Sequence, residues 1–486
     1  MMAERKFRVV VVGAGVAGLF MAETLKRAHI DFTVYEKAGE VGGTWRDNTF
    51  PGLFVDVLSR QYEFPFQPNY GWSRKYAPAE EIWAYIRRVA RDRGLHKFIR
   101  FNEEIVAARF SDGRWHIETA RGERDVADVF VCATGFLHKP LFPEIAGRES
   151  FAGRSFHSAN WDHGVPYEDR RWGVIGSGAS GVQITEALAW AGCEVTQFIR
   201  RAQWVHIREN PYTSWWERLK LRLPGGYERE QARLWRLINE SDRWRLVPGP
   251  QRAAMEREFA SYLDIIADPE LKRKLTPDYN LGCTRIPKSD KNYYAAVQLP
   301  NVRIVKGEIA RIVPRGLVMA DGTREDLDVI VYATGFDAHA YMRPMRVVGL
   351  NGATIDEAWR ERIYSYGGIA LSGFPNLFML YGPFGPVNNV PVPLGLDQEI
   401  ACIMRLVAEA RARRAAVAPT VAATEKFLAR LGDAFPGTVW VGGCKNWYTG
   451  DQANPLLWPL PQSEHKAFFD PVPVEDFEFI PTGQAD

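Results

Sequence analysis

Apolar and polar positions follow one another along this chain in a pattern that occurs twice. An apolar run, Arg8–Val12, closes on Gly13, Gly15 and Gly18; an amphipathic segment, Leu19 to Ala28, follows, and then a second apolar run, Phe32 to Glu36. The same succession returns as 171–175, then Gly176, Gly178 and Gly181, then Val182 to Ala191 and Glu194 to Ile199. β-rich run, GxGxxG, period-3.6 segment and second run predict strand, turn, helix and strand in both places, the order of a dinucleotide-binding unit. The repeat continues. Residues 128–136 and 328–336 each read as a buried strand ending in the same Ala-Thr-Gly-Phe turn, with Thr134-Gly135 in one and Thr334-Gly335 in the other. Short alternating strands precede each, with turns at Asp112-Gly113 and Asp321-Gly322, as in a small β-meander.

Between about 210 and 279 the period becomes helical and the composition rich in Trp and Arg, with Trp215, Trp216, Trp235 and Trp244. These tryptophans read more simply as core packing than as substrate contacts. The chain therefore divides into 1–148, 149–336 with a helical insertion at about 210–279, and 337–486, the last returning to complete the first unit. The fold class is α/β, with two Rossmann-like dinucleotide-binding domains.

Composition narrows the partners. Sixty-one basic residues against 59 acidic ones, in 486, give a formal charge of +2. That is too little to hold nucleic acid or an anionic membrane through the field of the whole molecule. Five cysteines, an odd number with no CxxC pair, indicate neither a disulfide framework nor a zinc finger and favour a cytoplasmic setting. The apolar run near the N-terminus follows Arg5 and Lys6 like a signal peptide, but Gly13, Gly15 and Gly18 explain it otherwise. No stretch approaches the roughly 20 apolar residues of a membrane span.

The glycines let a backbone approach a pyrophosphate at a helix N-terminus. The residue ending the second strand selects the ribose. In the first half it is Glu36, which can bond a ribose diol and would repel a 2′-phosphate. In the second it is Ile199, followed by Arg200 and Arg201, two guanidiniums suited to that phosphate, or else a solvated loop end. The first half should hold FAD and the second NADPH, which together imply hydride transfer from nicotinamide to flavin.

Between the halves lie Phe151, Gly153, His157 and Trp161, spaced FxGxxxHxxxW. On its own this could be a linker with a packed histidine. Ahead of the second GxGxxG it resembles the fingerprint of Baeyer–Villiger monooxygenases, within the class B flavoprotein monooxygenases, and the resemblance runs from Gly13 to about Trp458. It implies that Gly43, Thr44 and Trp45 form a flavin-contacting turn and that the segment Pro51–Asp56 sets Asp56 beside the flavin, although many members carry a basic residue near Phe54. It also implies that Gly282–Arg285 presents an active-site arginine, Arg285, with Thr284 standing where many members have an NADPH-contacting lysine. Tyr381-Gly382-Pro383 resembles the return of the chain to the flavin, and Lys445–Tyr448 a mobile loop whose Trp447 closes over NADP. His157 is expected to act between the domains and not in the chemistry.

Insertion of oxygen beside a ketone carbonyl requires a nucleophilic, anionic flavin peroxide. An arginine beside it stabilises that charge and the alkoxide of the adduct without donating its own proton. Arg285 is expected in this role, held by Asp56, with a small-molecule ketone and O2 as reactants and an ester or lactone as product. Three alternatives stay open: oxygenation of nitrogen or sulfur by the protonated hydroperoxide, a reductase passing electrons to a protein partner, and a scaffold without catalysis. The chain contains no GxSxG elbow, no HExxH and no Cys/His set with metal spacing.

Overall fold

The structure, a computed structural model, describes residues 6–241, 243–385, 390–441, 444 and 456–482. Two five-stranded parallel sheets carry the architecture. In the first, the strands run Leu377–Met379, Val129–Cys132, Arg8–Val12, Asp31–Glu36 and Ile99–Phe101 across the sheet. The second runs Arg154–His157, Val329–Tyr332, Arg171–Ile175, Glu194–Ile199 and Val302–Lys306. The central strands are buried on both faces, which explains their unbroken apolar runs.

The sequence repeat is a repeat of hydrogen bonds. Arg8 N donates to Asp128 Oδ2 at 2.8 Å, and Arg171 N to Asp328 Oδ2 at 2.9 Å. Gly13 N reaches Tyr35 O, and Gly176 N reaches Phe198 O. The halves differ at one edge. Leu377–Met379, from late in the chain, flanks Val129–Cys132 in the first sheet. In the second the equivalent place is taken by Arg154–His157, from the FxGxxxHxxxW segment. The meanders are the sheets built on Ile105–Ser111, Arg114–Thr119 and Arg124–Ala127, and on Ile309–Val313, Gly316–Met319 and Arg324–Asp326. Asp112 and Gly113, both with positive φ, turn the first hairpin.

Between Glu194–Ile199 and Lys288–Ser289 lie the helices Trp215–Arg222, Gly226–Ser241, Arg243–Leu246, Pro250–Tyr262 and Pro269–Leu275. The packing expected of their tryptophans holds for Trp244, which is buried, and fails for Trp215 and Trp216, which are exposed. Helix Trp215–Arg222 buries Leu221 instead, so its tryptophans lie on the other side. Near the C-terminus, Phe477–Pro481 pairs antiparallel with Ala415–Pro419.

The cysteines also depart from the expectation. Cys283 and Cys444 form a disulfide, 161 residues apart, with Cα atoms 6.1 Å from each other. A pairing at that separation leaves no spacing signature. Cys132, Cys193 and Cys402 are free and buried. No helix among the described residues is long and apolar enough to cross a membrane.

Candidate active site

A cavity of about 1700 Å³ is lined by both GxGxxG turns, by Asp56 and Arg285, and by Leu237 and Ile238 of the helical segment. Both turns are shaped by contacts that only glycine allows. Gly13 has φ +102°, and a Cβ there would stand 2.6 Å from Ala133 O; Gly176 has φ +128°, with Ala333 O at 2.3 Å. These carbonyls begin the two Ala-Thr-Gly-Phe turns, so each turn locks onto its own glycine loop. At the third glycines the crowding is internal, with a Cβ on Gly18 meeting Gly13 O and one on Gly181 meeting Gly176 O.

The middle glycines face open space. A Cβ on Gly178 would meet no protein atom within 4 Å, and one on Gly15 would meet only Gly43 Cα, at 3.7 Å. They cap the helices Ala179–Trp190 and Val16–Arg27 with no side-chain partner on the first amides. Two helix N-termini with bare amides facing a common cavity fit two pyrophosphates.

Glu36 ends its strand and is buried. Its Oε2 accepts from Ala14 N at 2.8 Å and its Oε1 from Ala38 N at 2.9 Å, so the carboxylate fastens the glycine loop. Oε2 keeps a lone pair for a ribose hydroxyl. Arg46, which sequence reasoning passed over, donates to Glu36 Oε1 and to Glu40 O. Gly43 has φ +53° and caps the short helix Thr44–Asp47; Thr44 lines the cavity, and Trp45 donates from Nε1 to Tyr62 Oη at 2.9 Å.

Arg200 and Arg201 both line the cavity. Arg200 is exposed, whereas Arg201 is held by Asp278, with Nη2 3.0 Å from Oδ1, and lies over the Tyr279 ring. Asp278 carried no signal in the sequence. Thr284 joins a small network in which its Oγ1 and Tyr279 Oη both donate to Gln203 Oε1, at 2.9 and 2.6 Å. Thr334 donates to Leu141 O at 2.6 Å. Gly335 O accepts from His157 Nε2 at 2.9 Å, while His157 Nδ1 accepts from Ala159 N. Burial, despite the bond to Gly335, keeps His157 below its usual value and neutral. It is a strut between the linking segment and the Thr334-Gly335 turn.

Asp56 and Arg285 meet, Arg285 Nη2 donating to Asp56 Oδ2 at 2.5 Å. Each is brought there by packing against the helix Ala179–Trp190. The turn before Asp56 rides on it through Gly52, φ +77°, where a Cβ would lie 2.8 Å from Gln183 O. The strand after Arg285 is tied to it by Glu186, which accepts from Ser289 Oγ at 2.7 Å and from Lys291 N at 3.0 Å. Burial would raise the Asp56 carboxyl, but Arg285, helped by Lys288, holds it below the usual carboxylate range. Asp56 is therefore ionised and Arg285 fixed.

Lys288 is a further cavity residue that the sequence did not flag. Its Nζ lies 3.2 Å from His206 Nδ1 across the Lys288–Ser289 and His206–Ile207 pair. Burial, with Arg208 and Arg245 nearby, pushes its ammonium down to about 7 against the pull of Asp56. The turn at Tyr381 also lines the cavity and is held by buried Glu399, whose Oε2 accepts from Tyr381 N at 2.9 Å. Trp447 lies outside the described residues.

Comparison with known proteins places this geometry. The family described as pyridine nucleotide-disulphide oxidoreductase matches residues 10–232. An uncharacterized monooxygenase of Mycobacterium tuberculosis is 40% identical over 473 residues, covering 97% of this chain and 95% of that one. A Baeyer–Villiger monooxygenase of Streptomyces coelicolor is 36% identical, over 97% and 92% of the two chains. A solved structure of OTEMO in complex with FAD and NADP superposes with a TM-score of 0.88 at 26% identity, covering 97% of this chain and 99% of that one. Two glycine loops in open contact with one cavity, an arginine–aspartate pair lining the same cavity and these relatives lead to one assignment: the chain belongs to the Baeyer–Villiger monooxygenase family and is an FAD- and NADPH-dependent flavoprotein monooxygenase.

Proposed function

We propose that this enzyme inserts one atom of O2 beside a ketone carbonyl to give an ester or lactone, the other atom leaving as water. The observation that carries the reading is the Arg285–Asp56 pair facing the shared cavity. Bound NADPH would supply a hydride and bound FAD the chemistry that activates oxygen. Arg285 presents a permanent positive charge that cannot protonate an anionic oxidant, and so favours attack on a carbonyl over transfer to nitrogen or sulfur. Asp56, ionised at neutral pH, fixes the guanidinium through a charge-assisted hydrogen bond.

Residues 1–148 and 337–486 are assigned to FAD, with Gly13, Gly15, Gly18 and Glu36 at its pyrophosphate and ribose and Gly43, Thr44 and Trp45 at its ring end. Residues 149–336 are assigned to NADPH. There Gly176, Gly178 and Gly181 receive the pyrophosphate, Arg200 and Arg201 the 2′-phosphate, and Thr334 with Gly335 closes the loop. Trp447 is assigned to covering the bound nucleotide.

The test is turnover of a cyclic ketone and of a thioether by FAD-loaded enzyme with NADPH under ¹⁸O2. A lactone carrying one ¹⁸O atom supports the reading. Labelled sulfoxide without lactone would mean a heteroatom oxygenase, and hydrogen peroxide alone would mean a reductase.

A further inference from the structure

The helix Trp215–Arg222 is laid on the protein with its apolar face outward. At 3.6 residues per turn, Trp215, Trp216, Leu219 and Leu223 share one side, while Leu221, on the opposite side, is the residue it buries. Exposures are 62% for Trp215, 56% for Trp216, 41% for Leu219 and 51% for Leu223, and the neighbouring Tyr212 is 71% exposed. Trp215 and Trp216 stack on each other, ring centroids 3.7 Å apart. Contiguous exposure of this kind is unusual on a monomer's surface and marks a contact face.

The rim is basic. Lys220 and Arg222 are exposed on the flanks of the apolar stripe. Arg74 lies 4.2 Å over the Tyr212 ring, and exposed Lys75 donates its backbone N–H to Pro211 O. The one acidic residue of the helix, Glu217, is occupied in a capping box with Ser214. Thus a chain of nearly zero net charge concentrates cations around an apolar, aromatic face.

We propose that this face docks on an anionic lipid bilayer. Tryptophan and tyrosine rings sit at the headgroup level of a membrane, where one edge is apolar and the other wet. Lysine and arginine beside them are drawn to anionic lipid. Charge complementarity argues against a second copy as the occupant, since pairing the face with itself would oppose the two basic rims. The helix leads directly into Gly226–Ser241, which carries Leu237 and Ile238 to the cavity wall. An enzyme lying on this face would have its cavity wall one helix away from the membrane, where apolar substrates partition.

The experiment uses the full-length FAD-loaded enzyme with vesicles of phosphatidylcholine containing phosphatidylglycerol, and with vesicles of phosphatidylcholine alone. Co-sedimentation is read together with the wavelength of tryptophan emission. The wild type should sediment with the anionic vesicles, shift its emission to the blue, and be released by salt. Trp215→Ser with Trp216→Ser should reduce the partition coefficient about tenfold, and Lys220→Glu with Arg222→Glu should abolish the preference for anionic lipid. Both variants should keep the flavin spectrum and the NADPH oxidation rate of the wild type, because neither pair touches the cavity. Wild-type enzyme left in the supernatant overturns the proposal, as does undiminished vesicle binding by either variant. Self-association through this face without lipid, or capture of an acidic protein in place of vesicles, overturns it in favour of that partner.

Discussion

Arg285 Nη2 donates to Asp56 Oδ2 at 2.5 Å across 229 residues of chain. Neither residue is presented by its own sheet alone. Gly52 seats the Asp56 turn, and Glu186 the Arg285 strand, on one helix that also begins at the second glycine loop. The second glycine loop and the arginine–aspartate pair therefore share one rigid support, which is what positions a functional group to a fraction of an ångström.

The glycines separate two kinds of constraint. Gly13→Ala and Gly176→Ala place a Cβ against a backbone carbonyl at a strained φ, so each should cost about 1–3 kcal/mol or more of stability. Gly178→Ala has open space on the protein side, and its melting temperature should stay at the wild-type value while KM for NADPH rises. Thermal unfolding and steady-state kinetics on the three variants check both halves of this.

The proposed assignment of Arg200 and Arg201 to the 2′-phosphate makes them the source of a preference for NADPH over NADH. Replacing both by alanine should reduce the ratio of the two kcat/KM values about 10- to 100-fold, the scale of one or two charge-assisted hydrogen bonds. Asp278→Asn releases Arg201 from its carboxylate and should move the ratio the other way.

Glu399 gives a pH dependence of definite sign. Burial pushes its carboxyl up to about 8, and among the described residues it accepts a hydrogen bond from Tyr381 N. The folded state thus favours the protonated acid, and this residue's contribution falls as pH rises from the unfolded value near 4.3 to about 8. Glu399→Gln cannot ionise. Its melting temperature relative to the wild type should be higher at about pH 8 than at about pH 5.

Peptide mapping without reduction should recover a cross-linked pair containing Cys283 and Cys444. Cys132, Cys193 and Cys402 should alkylate only after unfolding, being buried. Free Cys283 in the purified oxidised enzyme would contradict this.

How far the sequence was legible follows from the range of each interaction. The glycine loops and the strands ending in Thr134-Gly135 and Thr334-Gly335 could be read because adjacent residues dictate them. The Asp56–Arg285 contact, by contrast, could be anticipated only through the family resemblance, since nothing local to either residue points at the other. Asp278 against Arg201, Lys288 against His206 and Cys283 against Cys444 are products of tertiary packing and had no local signature. Trp215 and Trp216 show a different failure. Period 3.6 reveals that a helix has an apolar face but not which way it looks, and here Leu221 takes the core side.

The most direct test of the central claim is a side-by-side measurement of FAD-loaded wild type and Arg285→Ala: flavin reduction by NADPH without oxygen, then ester or lactone formed per NADPH consumed in its presence. The account predicts reduction within several-fold of the wild type and a product yield lower by about 100- to 1000-fold, the cost of removing a group that stabilises developing negative charge. A wild-type yield of ester from Arg285→Ala would contradict it.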